Sequence, residues 1–324
     1  MSNIRWGIIG AGHIAGEAAD VLYTAGIHFA CIYNRTREKA EQLAEKYQID
    51  NVCGTIEELL ASDIDAVYIA TLHNSHYQQI RMALDAGKHV LCEKSITLNS
   101  EELEELTRLA EEKNLILAEA MTIYHMPLYE RITDMISSGK TGKVCMIDAT
   151  YGSYNVIDPE SRFFDLAKGG GALLDIGVYA ITLARYFMSA QPEQICSLSK
   201  PAHTGTDEQF GIIMQNSHDE LASIMTNMRV SLPVRAVVSC EHGYFEINGF
   251  IRADRATYTD GKTRQITEIT VGERNRAMLY EFQNMEKAIE KKDPSIMKVN
   301  MTRDVMAIMT RVRRDWNYRF PEEN

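Results

Sequence analysis

The sequence predicts an α/β protein: an N-terminal doubly wound parallel sheet joined to an α+β C-terminal domain with a large, mainly antiparallel sheet. Three observations point there. Short apolar runs alternate with helical patterns over residues 4–120, the mark of βαβ units. After about residue 121 the pattern changes to β-like segments separated by short turns. The length of 324 residues also exceeds what one hydrophobic core usually serves.

In chain order, strands are expected at 5–9, 29–34, 66–71, 89–92 and 116–119, with another short one near Val52. Between them, segments such as 37–47 and 101–113 space apolar residues at three and four, as amphipathic helices do. These make a doubly wound domain over 1–121. The second domain, 122–300, opens on a helix at 128–137 and a turn at 139–142. Strands are then expected at 144–151, 209–215, 221–230, 235–241, 244–247, 251–258 and 265–271, set apart by turns with Gly, Asp or Asn. Helical patterns at 172–188, 275–291 and 302–313 are expected to cover one face of that sheet, and the terminal segment 301–324 to pack back on the first domain. Apolar alternation at Ile212 and Met214, and along Ile224, Thr226 and Met228, predicts a homodimer or homotetramer formed through the sheet.

Composition narrows the function classes. Apolar residues at 45% and charged residues at 24% are ordinary for a globular protein. A net charge of −11 argues against a nucleic-acid partner or an anionic membrane surface. Short apolar runs and the lack of a basic, then apolar, leader lead us to expect a cytoplasmic protein. Cys31, Cys53, Cys92, Cys145, Cys196 and Cys240 lie far apart without metal-ligand spacing, so they are expected to be buried free thiols.

The first expected strand runs directly into Gly10-Ala11-Gly12-His13-Ile14-Ala15, a G-x-G-x-x-A fingerprint. Gly10 permits a tight turn, Gly12 lets backbone N–H groups approach a pyrophosphate, and Ala15 lets the helix pack close to the strand. With the helix N-terminus as anion site, Gly10, Gly12, His13 and Ile14 are expected to hold a nicotinamide dinucleotide. An NAD-selective site usually ends its second strand with Asp or Glu, but this chain has Asn34-Arg35-Thr36. No carboxylate there repels a 2′-phosphate, and Arg35 offers a planar fork of donors with Arg37 and Lys39 near it. The expected cofactor is therefore NADP, with NAD as the alternative.

Two further stretches, Ala86-Gly87-Lys88-His89-Val90-Leu91-Cys92-Glu93-Lys94 and Gly169-Gly170-Gly171-Ala172-Leu173-Leu174-Asp175-Ile176-Gly177-Val178-Tyr179, complete a combination that resembles the Gfo/Idh/MocA oxidoreductases. The resemblance extends over nearly the whole chain, including Thr204-Gly205-Thr206-Asp207 and residues 235–247. It implies an NAD(P)-dependent sugar or polyol dehydrogenase. Tyr179, where most branches carry His, looks most like the branch of dihydrodiol dehydrogenases and glucose–fructose oxidoreductase. The family pattern reads Glu-Lys-Pro, typically with a cis bond before the proline, whereas Ser95 stands here. Either the cis bond is kept without proline, which is rare, or the bond is trans and Lys94 is reoriented.

The chemistry of the residues agrees. Glu93 and Lys94 fall at the carboxyl end of a parallel strand, where such sheets bind ligands. The Lys94 ammonium can hydrogen-bond a substrate oxygen and stabilise the alkoxide character that develops as hydride leaves carbon. Asp175 and Tyr179, four apart in a helical pattern, share one face. Tyr179 is expected to act as general acid/base, with a neighbouring ammonium lowering its phenol, and Asp175 to orient substrate hydroxyls or the lysine. In similar proteins Thr71, Asn74 and His76 border cofactor and substrate, and Glu119 is expected to meet the nicotinamide ribose or carboxamide. Arg162 is expected either to hold a substrate group or to form a loop salt bridge. His73 and His76 are spaced like a metal pair, but no third ligand accompanies them, so no metal is expected. The substrate expected is a small sugar, polyol or cyclic diol. Rival readings are an NAD-linked inositol or sugar dehydrogenase, and a catalytically silent dinucleotide-binding sensor.

Overall fold

Trp-Gly-Ile-Ile forms β1 (Trp6–Ile9), buried at every position, as a strand covered on both faces of a parallel sheet must be. In a computed structural model, which describes residues 4–158 and 161–323, it begins an alternating series. α1 (His13–Thr24), β2 (Phe29–Tyr33), α2 (Arg37–Tyr47), β3 (Asn51–Val52), α3 (Ile56–Ala61), β4 (Ala66–Ile69), α4 (His73–Asp85), β5 (His89–Glu93), α5 (Ser100–Glu112) and β6 (Leu117–Ala120) follow. The six strands pair in parallel in the order β3-β2-β1-β4-β5-β6. The order reverses between β1 and β4, and the crevice beyond their carboxyl ends is where such sheets take ligands. Local chemistry starts the helices: at α5 the Asn99 side chain accepts from Glu102 N at 2.9 Å while Glu102 accepts from Leu98 N at 2.9 Å, a reciprocal cap.

The second series is α6 (Pro127–Ser137), β7 (Val144–Gly152), α7 (Val178–Phe187), β8 (Gln194–Pro201), β9 (Asp207–Gln215), β10 (Leu221–Asn227), β11 (Leu232–Cys240), β12 (Gly243–Asn248), β13 (Arg255–Asp260) and β14 (Ile266–Thr270), then α8 (Ala277–Lys291) and α9 (Val299–Asp315). The eight strands lie in the order β14-β13-β12-β11-β7-β10-β9-β8, antiparallel except for the parallel pair β7 and β10. One face buries Ile147, Ala149, Ile212, Met214, Ala222, Ile224, Val238 and Phe245. Met146, Leu198, Ile213 and Met225 remain exposed.

The chain forms two compact units, Met1–Met121 with Met278–Asn300, and Thr122–Ala277 with Met301–Asn324. This corrects two expectations. α8 does not join the second-domain helices; it closes the core of the first unit, where Phe282 packs on Trp6, Phe29 and Tyr68 with ring centroids 4.8, 6.0 and 5.1 Å apart. Each such ring contributes roughly 1.5–3 kcal/mol by leaving water, and Trp6 Nε1 also donates to Glu286 at 3.1 Å. Conversely, the terminal segment belongs to the second unit. α9 and the residues after it stay with the second: Arg185 pairs with Asp304 at 2.7 Å, and Trp316 Nε1 donates to Ser197 at 2.9 Å.

Other differences are local. β8 was not anticipated, because an edge strand reading Gln-Ile-Cys-Ser-Leu-Ser-Lys-Pro is largely exposed and carries little apolar signal. β10 stops at Asn227, whose side chain turns the chain by accepting from Arg229 N and Val230 N at 2.6 and 3.0 Å. All six cysteines are free, but only Cys31, Cys53 and Cys92 are buried; Cys145 and Cys196 are exposed and Cys240 lies between. Leu166–Phe187 is long and apolar enough to cross a membrane, yet 78% of its most apolar stretch is buried within the protein, as in a core helix.

Candidate active site

The glycine loop joins β1 to α1. Gly10 has φ +116°, and a Cβ there would run into the carbonyl oxygen of Ala70, just past β4, so glycine is required. Its N–H donates to Tyr33 O at 2.8 Å. Gly12 is the N-cap of α1, which has no side-chain cap and no acidic residue in its first turn. Nothing lies within 4 Å of where a Gly12 Cβ would be. These features fit a pyrophosphate: helix N–H groups open onto space with no competing carboxylate. Ala15 is fully buried, Ile14 is half-buried and His13 is exposed.

Asn34 is turned inward. Its Oδ1 accepts from Ala11 N at 3.1 Å and its Nδ2 donates to Thr36 O at 2.8 Å, so it braces the loop. Arg35 is exposed and makes no ion pair among the described residues. Arg37, by contrast, pairs with Glu41 at 2.8 Å.

The strand ends converge on the backbone that follows Lys94. His73 Nε2 lies 3.2 Å from Lys94 O, His76 Nδ1 lies 3.0 Å from Ser95 O, and Glu119 accepts from Ile96 N at 3.1 Å. The Lys94–Ser95 bond is cis, which answers the alternative left open above. Lys94 itself is half-buried. His76 is fully buried, and its Nε2 faces Thr71 O at 3.3 Å. Burial, with His73 beside it, pushes its imidazole down to about 3, so it stays neutral. In this arrangement His76 faces backbone carbonyls. Thr71 Oγ1 donates to Gln79 at 2.6 Å, and Asn74 is half-buried in the first turn of α4. Glu93 is buried and accepts a hydrogen bond from the Tyr68 hydroxyl; burial first, then Glu93, raises Tyr68 well above the usual phenol range. Among the described residues no group of three or more His, Cys, Asp or Glu is arranged for a metal.

In the second unit, Gly169–Gly171 leads into a widened π turn, Leu173–Gly177, and then α7. Asp175, nearly buried, faces Arg162, whose Nη1 and Nη2 each lie 3.4 Å from Oδ1. Arg162 therefore forms the salt-bridge alternative, with its guanidinium 4.2 Å from the Phe163 ring centroid. Residues 159 and 160, in the same loop, lie outside the described residues. Tyr179 is half-buried, its ring 6.3 Å from that of Tyr151. Lys94 thus belongs to one unit, and Arg162, Asp175 and Tyr179 to the other. The backbone clamp at His73 and the Tyr68–Glu93 contact went unread in the sequence. The H-x-x-H spacing was the one signal of the clamp, and it suggests metal before it suggests backbone; the Tyr68–Glu93 contact had none.

Comparison with known proteins agrees with this fold. Residues 4–121 match the model of an oxidoreductase family with an NAD-binding Rossmann fold, and residues 129–246 match the Gfo/Idh/MocA C-terminal domain. The chain is 29% identical over 329 residues to trans-1,2-dihydrobenzene-1,2-diol dehydrogenase of Xenopus tropicalis, covering 98% of this chain and 99% of that protein. The Homo sapiens enzyme of the same name is 30% identical over 249 residues, covering 75% and 74%. A 3-ketoreductase from Actinomadura kijaniata, crystallised with NADP and TDP-benzene, shares the fold with a TM-score of 0.85 at 23% identity, covering 96% of this chain and 97% of that one. With both domains matched and a relative of that identity along most of its length, the chain belongs to the Gfo/Idh/MocA family of oxidoreductases, residues 4–121 being the family's NAD-binding domain.

Proposed function

We propose that this protein is an NADP-dependent dehydrogenase that moves a hydride between the nicotinamide and a secondary alcohol or carbonyl of a sugar, polyol or cyclic diol. The observation that carries the reading is the Lys94 loop, whose backbone is gripped by His73, His76 and Glu119. Such fixing of a lysine at a strand's carboxyl end suits a catalytic group. Exposed Arg35 beyond β2, with no carboxylate beside it, supports NADP. The diol dehydrogenase relatives and the NADP-bound ketoreductase of like fold support the substrate class and cofactor.

The bound nicotinamide would supply the hydride acceptor or donor. In the oxidation direction the Lys94 ammonium hydrogen-bonds the substrate oxygen, and the Tyr179 hydroxyl relays that oxygen's proton toward solvent as the C–H bond breaks. Asp175, held by Arg162, orients substrate hydroxyls. Thr71, Asn74, Glu93 and Glu119 border the nicotinamide end, and Gly10, Gly12, His13 and Ile14 the pyrophosphate. Free cysteines suit a reducing, cytoplasmic compartment. The apolar open face of the large sheet suits a second copy, as homodimer or homotetramer.

The test is NADPH and NADH formation across a panel of sugars, polyols and cyclic diols, with Lys94→Ala as control. Turnover with NADP that the alanine variant loses supports the reading. Turnover with NAD alone favours an NAD-linked sugar or inositol dehydrogenase, and dinucleotide binding without turnover favours a silent sensor.

A further inference from the structure

The glycine run before α7 cannot by itself hold the start of the helix that carries Asp175 and Tyr179. Ala172, at its N-terminus, makes no side-chain cap, and serine, threonine, asparagine or aspartate is absent from residues 169–174. The missing cap comes from a distant strand. Asp207, the first residue of β9 and 3% exposed, accepts from Leu173 N through Oδ2 at 2.7 Å. Gly171, at φ +126°, leaves room for this: a Cβ there would occupy the place of Asp207 Oδ1. Tyr318 adds a second hold, its hydroxyl donating to Gly170 O at 3.0 Å. Arg313 keeps the terminal segment in place, donating to Glu323 through Nη2 at 2.6 Å and lying 4.6 Å from the Phe320 ring centroid.

We infer that Asp207 is a positioning residue for the Asp175 and Tyr179 side chains: its carboxylate fixes the start and rotation of the helix that presents them. A shift at Leu173 is carried to both, because they follow within two turns of the same backbone. A buried carboxylate is costly unless it is bonded. Burial raises Asp207 to about 7, while the Leu173 N–H and the Arg313 guanidinium act in the opposite sense. Since the buried Asp207 carboxylate is engaged by the backbone N–H of Leu173, its role runs through the helix rather than through contact with the reacting atoms.

The inference rests on Tyr179 being the proton-transferring group, so Tyr179→Phe is measured beside the Asp207 variants. Asp207→Asn keeps an acceptor oxygen and the shape; Asp207→Leu keeps the volume and removes the acceptor. The leucine variant should lose kcat at least about tenfold, approaching the roughly hundredfold of a ~1 Å misplacement, with NADPH affinity by fluorescence within about twofold of wild type. Asparagine should restore kcat to within about threefold. If leucine does not fold, Asp207→Ser, whose hydroxyl falls short of Leu173 N, should show the same loss of kcat. Leucine or serine variants with wild-type kcat per folded molecule, or asparagine and leucine losing equally, would overturn the assignment. Retained turnover in Tyr179→Phe would instead remove the reading on which it rests.

Discussion

His76 Nδ1 lies 3.0 Å from the carbonyl oxygen of Ser95, one residue beyond Lys94, while its Nε2 faces Thr71 O at 3.3 Å. A neutral imidazole has one N–H, and the shorter contact is the natural recipient of it. The ring thereby ties α4, which carries it, to the loop after β5. Both contacts lie within the first unit, and the tie is local enough to be tested by substitution.

The pH dependence follows from burial of that ring. Its pKa is pushed down to about 3 from 6.5. Between those values the unfolded chain binds a proton that the folded chain does not, so the stability is complete above pH 6.5 and is lost as pH falls toward 3. At pH 5 the loss is about 2 kcal/mol. Urea unfolding at pH 7.5 and pH 5 should show this extra drop in wild type but not in His76→Asn; equal drops would refute it.

Tyr179→Phe should lower kcat by roughly 10²–10⁴-fold, the usual share of general acid/base catalysis. Dinucleotide affinity, measured by fluorescence, should be unchanged, since the glycine loop proposed to hold the pyrophosphate lies in the other unit.

Gly10→Ala should abolish dinucleotide binding and lower Tm. The added Cβ meets the Ala70 carbonyl, and the φ of +116° is one that alanine resists; strain of about 1–3 kcal/mol is expected. Calorimetry with and without NADPH checks it.

Arg35→Ala should weaken NADP binding about 10–100-fold, the worth of a charged hydrogen-bond set at roughly 1.5–3 kcal/mol. NAD affinity should stay within about twofold. Equal effects on the two cofactors would remove Arg35 from the 2′-phosphate site.

Met225→Lys combined with Ile213→Lys places two charges on the open face of the large sheet, where both side chains are 54% exposed. Light scattering should then report the monomer mass, against a dimer or tetramer for wild type. A wild-type monomer would remove the proposed association.

Much of the first unit was legible because its signals are local. Gly10 and Gly12 are demanded by the turn they make, and apolar runs of four such as Ala66–Ile69 are strands that water cannot reach. The end of β5 was also readable: Glu93 closes the strand and Lys94 follows it, as the apolar run before them foretold. His76 shows the limit: its spacing from His73 reads like a metal pair, and only its burial beside the Ser95 carbonyl shows it holding backbone.

The sequence by itself determined the alternating strands and helices of the first unit and the glycine turn after β1, because propensity, turn chemistry and apolar periodicity act within a few residues. Tertiary structure alone decided that α8 closes the first unit while α9 stays with the second, since both are amphipathic and either face would satisfy either core. It alone also brought Asp207 to Leu173 N, 34 residues away in the chain. A cap supplied from that distance has no local pattern to read; it exists only once β9 and the glycine run have been folded against each other.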